Sequence, residues 1–541
     1  MKRLYILLFL FSCLYLPKAT ANNIQVDDAV LYNQNTAATP SYTHVRFDLT
    51  WDNSWRVSAG PANWDGAWLF VKYQIQGEEW KHATLSTDAP DHDVLNDNGT
   101  AMTIDPSPDG KGVFVHRSGD GIGDINLNDV LLRWNYETDG VLDTDNLQIK
   151  VFAIEMVYIP EGPFFVGDGN ITTSPSTRAF SINNTGNNLP YRITSEDAIT
   201  FAASTYTGDD LVYNPNFTSA HTLLATFPKG FQAFWVMKYE VTQKQYLDFF
   251  NTLPNNQTIR GYRNLGVNNS PTAETFRNNF YWDGQANSDA ILTNGRSGDR
   301  ACNYLSTADA LAYADWSGLR PITEFEFEKM ARGTDNTDPN NPVPVFPTNG
   351  EFAWGNTTVM GISSLVNDGQ VDENIASPMT ANAHSTSTIN GPVRNGIFAA
   401  KNPTSDQRTL TGGSYYGVME LSGNLEEIVI AASYWSSTNN SPSCTFTGNH
   451  GDGELNDGRA DVNGWMQTGC FNSACDAIIS PNTRANQFIT LKGGAFNSNN
   501  NLMRVSDRSR GIIYSSGCSS TSTLYSSRFN YIGFRAGRTA N

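Results

Sequence analysis

The chain has 541 residues, with 36 Lys and Arg against 54 Asp and Glu and a formal net charge of −18. This acidity excludes nucleic acid and anionic membrane surfaces as ordinary partners, because both are bound through clustered Lys and Arg. Hydrophobic residues make up 39% and aromatic residues 12% of the chain, so the composition supports folded cores and not disorder.

The first 21 residues have the pattern of a signal peptide. Two basic residues precede an apolar run, 4–16, that is too short to span a bilayer, and the small-x-small pattern at 19–21 predicts cleavage before Asn22. An alternative is lipid attachment at Cys13. No later stretch is apolar over the length that a membrane span needs. The sequence therefore predicts an exported protein without a membrane span, located in the periplasm or outside the cell.

Residues 22–154 are predicted to form a β-sandwich-like domain. Aromatic and β-branched runs alternate there with clusters of Gly, Pro, Asp and Asn, as expected for short strands joined by turns. The predicted strands are Thr43–Trp51, Ala67–Ile75, Gly112–His116, Val130–Tyr136 and Leu147–Ile154. Segment 118–129 superficially resembles a calcium loop, but it lacks the acid spacing and the closing Glu of an EF-hand, so a tight turn is predicted.

The second region, residues 155–541, combines short strands, long polar loops and three helices that capping boxes announce. In each box a Ser or Thr hydroxyl and an acid or amide three residues later satisfy the first free amides of a helix. The boxes are Thr242-x-x-Gln245, Ser306-x-x-Asp309 and Thr323-x-x-Glu326, and Gly333 is placed to end the third helix.

Five cysteines remain after removal of the signal peptide, which is too few for a disulfide framework. Cys470 and Cys475 stand in C-x4-C spacing in a loop of small polar residues, so a local disulfide is predicted in an oxidising compartment. No second Cys or His pair stands at ligand spacing, so a zinc site is not expected.

Seven motifs of the second region occur in the order known from one enzyme family. They are MVYIPEGPFFVGD (156–168), FWVMKYEVTQKQYLDFFN (234–251), DALAYADWSGLRPITEFEFEKMARG (309–333), FAWGN (352–356), GVMELSGNLEE (417–427), LKGGAF (491–496) and IGFR (532–535). Together they resemble the sulfatase-modifying factor family, whose type member is the formylglycine-generating enzyme. The resemblance implies an α+β fold, C-type lectin-like and with little regular structure, preceded here by the β-sandwich-like domain.

The enzymes of that family oxidise a cysteine of a client sulfatase, using oxygen and a copper ion held by two cysteines. Counted from LKGGAF, those positions fall on Ser498 and Met503, and neither is a thiol. A soft cuprous ion and disulfide exchange both require thiolates, so copper and catalysis are not expected. A relocated centre at Cys470 and Cys475 is the alternative.

The resemblance also implies calcium. In GVMELSGNLEE the family pattern places carboxylate ligands at Glu420 and Glu427 and backbone carbonyl ligands at Gly423 and Leu425. Such a set suits a hard cation, which prefers six or more oxygens; the competing interpretation is a solvated acidic turn. A second family calcium site is placed at Asn374 and Ile375.

The segment from Asn497 to Asn530 replaces the catalytic region and is rich in Ser, Asn and Tyr, the side chains of adaptable binding surfaces. The candidate partner-binding residues are Ser498, Asn499, Asn500, Met503, Tyr514 and Tyr525. The sequence thus predicts a non-catalytic protein that presents a lectin-like surface to a protein or glycan. The alternatives are an oxidase with relocated cysteines, a structural subunit of an envelope secretion or gliding assembly, and, for the segment itself, ordinary coil.

Overall fold

The computed structural model describes residues 23–169, 179–184, 187–202, 211–213, 221–378, 380–385, 388–401, 407–432, 446–465, 489–510 and 527–541. Strands account for 34% and helices for 12% of the chain, so the fold is sheet-rich. In chain order the strands are β1 Gln25–Asn35, β2 Tyr42–Arg56, β3 Asp65–Ile75, β4 Lys81–His82, β5 Asp93–Asn96, β6 Met102–Pro106, β7 Val113–Arg117, β8 Gly121–Trp134, β9 Leu147–Ile159, β10 Phe164–Val166, β11 Phe180–Asn184, β12 Asn187–Leu189, β13 Tyr191–Ile193, β14 Ile199–Phe201, β15 Leu211–Tyr213, β16 His221–Leu223, β17 Phe234–Met237, β18 Phe280–Tyr281, β19 Ile291–Leu292, β20 Arg320–Pro321, β21 Thr334–Asp335, β22 Val343–Pro344, β23 Ser364–Val366, β24 Asn374–Ser377, β25 Glu426–Ile430, β26 Ile489–Lys492, β27 Ile532–Gly533 and β28 Ala536–Thr539. The helices are α1 Gln243–Phe250, α2 Gln257–Arg263, α3 Thr307–Trp316, α4 Glu324–Arg332, α5 Ile397–Lys401 and α6 Arg408–Thr411, with 3₁₀ turns at Ala89–Asp91, Tyr136–Asp139 and Thr293–Gly295.

Two sheets enclose the N-terminal core. One has the order β1-β2-β8-β5, and the other contains β3, β7 and β6. The exposure of β2 alternates along the strand, as a half-buried strand requires, and its inward residues meet alternate residues of β3. Segment 118–129 does not form a tight turn throughout. The turn is confined to 118–120, because residues 121–129 continue β8 in register with β2.

Strand β3 separates two cores. Leu69 and Val71 face the sandwich interior, whereas Trp68 and Phe70 belong to a large aromatic cluster that includes Trp235 and Trp316. Consecutive side chains of a strand point to opposite faces, so one strand can contribute to both cores. This explains why β3 lacks the polar alternation of an ordinary sandwich strand.

The larger sheet crosses the boundary predicted at residues 154 and 155. Its order is β20-β28-β17-β9-β3-β7-β6, with β4 also paired to β3. Strand β9 continues to Ile159, pairs with β3 through residues 147–157 and pairs with β17 through residues 156–159. The N-terminal and C-terminal regions therefore share one sheet.

The three helices announced by capping boxes are confirmed. In α1, α3 and α4 the predicted Ser or Thr accepts the amide three residues later, and the Gln, Asp or Glu there accepts in return from the cap amide. Gly333 ends α4 with φ 89°, a conformation that favours glycine. None of the described helices is long and apolar enough to cross a membrane.

Candidate functional site

The turn before β25 is built from left-handed backbone. Glu420, Gly423 and Asn424 have φ of 56°, 102° and 65°. At Gly423 an added Cβ would lie 2.8 Å from the carbonyl oxygen of His384, so the close approach of two chain segments requires glycine there. The turn carries its carboxylates into the protein interior, since Glu420, Glu426 and Glu427 are all buried.

Glu427, a predicted calcium ligand, forms a two-pronged ion pair with Arg535 of the IGFR motif. The Nε and Nη2 atoms of Arg535 each donate to one carboxylate oxygen at 2.6 Å, and both side chains are fully buried. Arg535 also donates to the carbonyls of Met237, Lys238 and Met419 at 3.2, 3.1 and 2.8 Å. The guanidinium therefore joins β17, the turn and β25.

Glu240 is a further buried carboxylate at the turn, which sequence reasoning did not single out. Together with Glu420 and Glu427 it makes a trio of buried carboxylates near Arg535. It accepts the backbone amide of Leu425 at 3.0 Å and the side-chain amide of Asn424. Burial, followed by the nearby charge of Glu427, raises the pKa of Glu240 well above its usual range. Glu240 could have been identified from the sequence by its position in KYEVT (238–242), which is part of the family motif at 234–251.

Glu420 holds the one carboxylate oxygen of this trio that has no partner. Its Oε1 accepts the amide of Gly396 at 3.0 Å, whereas no described residue hydrogen-bonds to Oε2. Burial raises the pKa of Glu420 to about 7. Among the described residues, Arg535 is the only cation that bonds directly to any of these three buried carboxylates. The site therefore lacks positive charge, and a cation that prefers oxygen ligands, bound at Glu420, would supply it. Each carboxylate oxygen of Glu427 already accepts one hydrogen bond from Arg535, so Glu427 would have to bind the ion through its remaining lone pairs.

The second predicted calcium site does not fit a cation. Ile375 is buried in an apolar cluster, and Asn374 Oδ1 accepts the next backbone amide at 2.8 Å. The preceding Glu373 is surrounded by guanidinium groups: Arg277 and Arg300 contact its carboxylate at 2.8 and 2.9 Å, and Arg394 donates to its carbonyl at 2.7 Å. These charges repel a divalent ion, so we keep only the turn at 420–427 as a calcium candidate.

On the opposite side of β25 from Glu427, Glu426 faces Ser498. The hydroxyl of Ser498 donates to Glu426 Oε1 at 3.2 Å and accepts the amide of Ala495 at 2.9 Å. Arg510 Nη2 lies 3.3 Å from the same carboxylate oxygen, with its side chain 43% exposed. Glu426 Oε2 has no partner within the described part of the chain, and burial raises the pKa of Glu426. Sequence reasoning missed Glu426, because nothing local distinguishes it from its neighbour Glu427.

The candidate partner-binding residues do not share one environment. Asn499 and Asn500 are exposed, and Ser498 is buried except for a small fraction. Met503 is fully buried against Phe352, Trp354 and Ala383, so its assignment to a binding surface is wrong. Tyr514, Tyr525, Cys470 and Cys475 lie outside the described residues.

Two other groups of potentially reactive side chains, the Cys302 thiol and a cluster of three aspartates, have structural roles. The thiol of Cys302 is fully buried, and burial raises its pKa, so it does not supply a thiolate. The carboxylates of Asp315, Asp452 and Asp461 converge within 4.8 Å. Asp315 uses its two oxygens to accept the backbone amides of Asp452 and Asp461 at 3.1 and 3.2 Å, which anchors the loop at 446–465 to α3.

Comparison with known protein families matches residues 152–519 to the sulfatase-modifying factor enzyme 1-like domain. The match begins inside β9 and includes six of the seven motifs, with IGFR beyond its end. No curated protein sequence matches the chain.

Proposed function

Because the protein belongs to the sulfatase-modifying factor family, we propose that it is an exported, calcium-stabilised and non-catalytic member. It presents a lectin-like surface around Ser498 to a protein or glycan. The observation that carries this proposal is the group formed by Ser498, Glu426 and Arg510 at the position where the enzymes of the family carry their first cysteine.

Neither of the two positions at which the enzymes of the family carry cysteines has a thiol in this chain. Ser498 offers a hydroxyl, which is a poor ligand for a soft cuprous ion and cannot exchange disulfides. Met503 carries a thioether, and its side chain is enclosed by aromatic residues. Neither position supplies the thiolate that oxygen-dependent cysteine oxidation requires.

One carboxylate oxygen of Glu426 has no hydrogen-bond partner among the described residues. A buried carboxylate oxygen without a hydrogen bond has a free-energy cost, and a ligand that donates to it removes that cost. Glu426 Oε2 is such an acceptor, and the half-exposed guanidinium of Arg510 beside it supplies donors. Hydroxyl groups of a glycan and amide groups of a protein both present the complementary atoms.

Calcium has a stabilising role in this proposal. Glu420 would provide the main carboxylate, with the carbonyls of Gly423 and Leu425 and the shared carboxylate of Glu427. The bound ion would offset the charge of three acids that are buried close together.

The catalytic alternative is tested with a peptide that contains the sulfatase sequence Cys-x-Pro-x-Arg. After incubation with the protein, copper and a reductant, mass spectrometry is expected to find no formylglycine. Turnover would refute the non-catalytic assignment, and its loss in Cys470→Ser would place the chemistry at the relocated cysteine pair.

The binding role is tested with a glycan array and with affinity capture from the native envelope. The Glu426→Gln variant is expected to lose most of the captured ligand, because it removes the charged acceptor with little change of shape. Glu79→Gln, at an exposed acid in the N-terminal region, is the matched control and should bind like wild type. Equal binding by both variants would show that the Ser498 surface is not the binding site.

A further inference from the structure

Strand β9 has an edge that is unpaired over half of its length. It pairs with β3 from Leu147 to Val157, but with β17 only through Met156–Ile159. Within the described residues no strand pairs with the second edge of β9 between Leu147 and Ile154. An open edge of this kind presents backbone donors and acceptors to whatever approaches it.

The register shows which residues face the open edge. Gln76 donates to the carbonyl of Asn146 at 3.0 Å, and Tyr158 donates to the carbonyl of Trp64 at 2.9 Å. Hydrogen-bonded residues alternate along an antiparallel pair, so the even-numbered residues of β9 bond to β3. The backbone groups of Ile149, Val151 and Ala153 therefore point to the open edge, and no described residue bonds to them. Glu155, the next odd position, confirms the alternation, because its carbonyl accepts from Lys238 at 3.0 Å on that side.

A groove of about 440 Å³ is lined by residues 151–154 of β9. Residues 23–27, the last three of which belong to β1, also line it, together with residues of α1 and α3. Beneath it, Val26 and Val151 are only partly buried although they pack on the sandwich core. Trp316 lines the groove, and its buried indole N–H has no hydrogen-bond partner among the residues that the structure describes. The core of the N-terminal region is thus incompletely covered between two edge strands.

The groove is acidic. Asp27, Asp248 and Asp299 line it, together with a single cation, Lys244, which pairs with Asp248 at 2.8 Å. Asp27 has no ion pair with any other described residue, and Asp299 lies near the charges of Arg394 and Lys244 without a direct ion pair to either. An occupant that carries positive charge is therefore favoured.

We propose that this groove accepts an extended segment of another protein, which adds to β9 as a strand. Backbone hydrogen bonds to Ile149, Val151 and Ala153 would provide most of the affinity, and about five residues would cover that span. The alternate side chains that face the sandwich core are apolar, and a Lys or Arg near one end meets Asp27 or Asp299. This role is separate from the Ser498 surface, because neither Ser498 nor Glu426 nor Arg510 lines the groove.

The test uses a fluorescent heptapeptide, Lys-Val-Thr-Val-Lys-Val-Thr, and a copy that is N-methylated at alternate residues on the hydrogen-bonding edge. Fluorescence anisotropy is expected to show saturable binding of the first peptide and at least tenfold weaker binding of the second. Hydrogen exchange should slow at the amides of Ile149, Val151 and Ala153 when the first peptide binds, and remain slow throughout at Lys150 and Phe152. Equal binding of the two peptides, or no binding at about 1 mM, would overturn the proposal.

Two variants make the test specific. In Ala153→Pro the lost N–H faces the open edge, so pairing with β3 is retained and peptide binding should fall at least tenfold. Asp299→Asn leaves the backbone intact and should weaken binding of the lysine peptide several-fold, but not that of a peptide with Thr in place of Lys. If sedimentation shows that the protein itself dimerises and that Ala153→Pro abolishes the dimer, the occupant is a second copy, and the assignment to another protein is overturned.

Discussion

Replacement of Arg535 by Met tests the central polar network of the site. The guanidinium makes five hydrogen bonds, two to Glu427 and three to carbonyls, and neither side chain of the pair is exposed. Removal of one member of a buried ion pair leaves an uncompensated charge and costs about 3–5 kcal/mol. Arg535→Met is therefore expected to lower the free energy of unfolding by at least about 3 kcal/mol.

The assay is equilibrium unfolding in urea followed by tryptophan fluorescence, in which the loss appears as a lower midpoint with little change in slope. Lys244→Met is the matched control, because the exposed pair of Lys244 and Asp248 contributes about 0–1 kcal/mol. The double variant Arg535→Met with Glu427→Gln should be more stable than Arg535→Met alone, since it removes the unpaired charge as well. A loss below about 1 kcal/mol for Arg535→Met, or a double variant less stable than the single one, would refute this reasoning.

Further outcomes concern calcium, pH and packing. A chelator should lower the melting temperature of wild type by several degrees and leave Glu420→Gln nearly unchanged; identical wild-type melting with and without chelator would exclude a calcium role at the turn. Burial raises the pKa of Glu420 from its ordinary value of 4.5 to about 7 in the folded state, so the folded state retains the proton to higher pH. Without calcium, wild type should therefore lose stability relative to Glu420→Gln as the pH rises from about 4.5 to 7, and a flat difference between the two urea-unfolding profiles would contradict this. Met503→Ala should lower the free energy of unfolding by about 2–5 kcal/mol, because the side chain is fully buried. Asn499→Ala, at an exposed position, should lower it by less than about 0.5 kcal/mol. Both values are measured by urea unfolding, and similar losses for the two variants would contradict the burial of Met503.

The features that sequence predicted well are local ones. A capping box lies within four residues, so the starts of α1, α3 and α4 follow from Thr242, Ser306 and Thr323 alone. The runs of β-branched and aromatic residues likewise located β2, β3 and β7. Ordered motifs identified the family without any knowledge of tertiary contacts.

The features that could not be predicted from the sequence depend on contacts between residues that are far apart along the chain. Glu427 was expected to face calcium, but its nearest cation is Arg535, more than one hundred positions away. The hydrogen bonds from Asn424 and Leu425 to Glu240 have the same character. The polar letters of 121–129 resembled a turn because only one face of β8 is buried there, and the pairing with β2 overrides the weak strand propensity. No local pattern signals that a strand such as β3 serves two cores.

The shared sheet has a consequence for the order of folding. Strand β28 lies between β20 and β17, and Phe234 pairs with Thr539 although nearly the whole second region separates them in sequence. The edge of β17 therefore stays unpaired until residues 536–539 have been synthesised and have reached it. Until then the chain is a protease-sensitive, aggregation-prone intermediate, whose completion is slow because the contacts that close it are among the most non-local in the molecule. A holding chaperone that binds before closure would protect this intermediate.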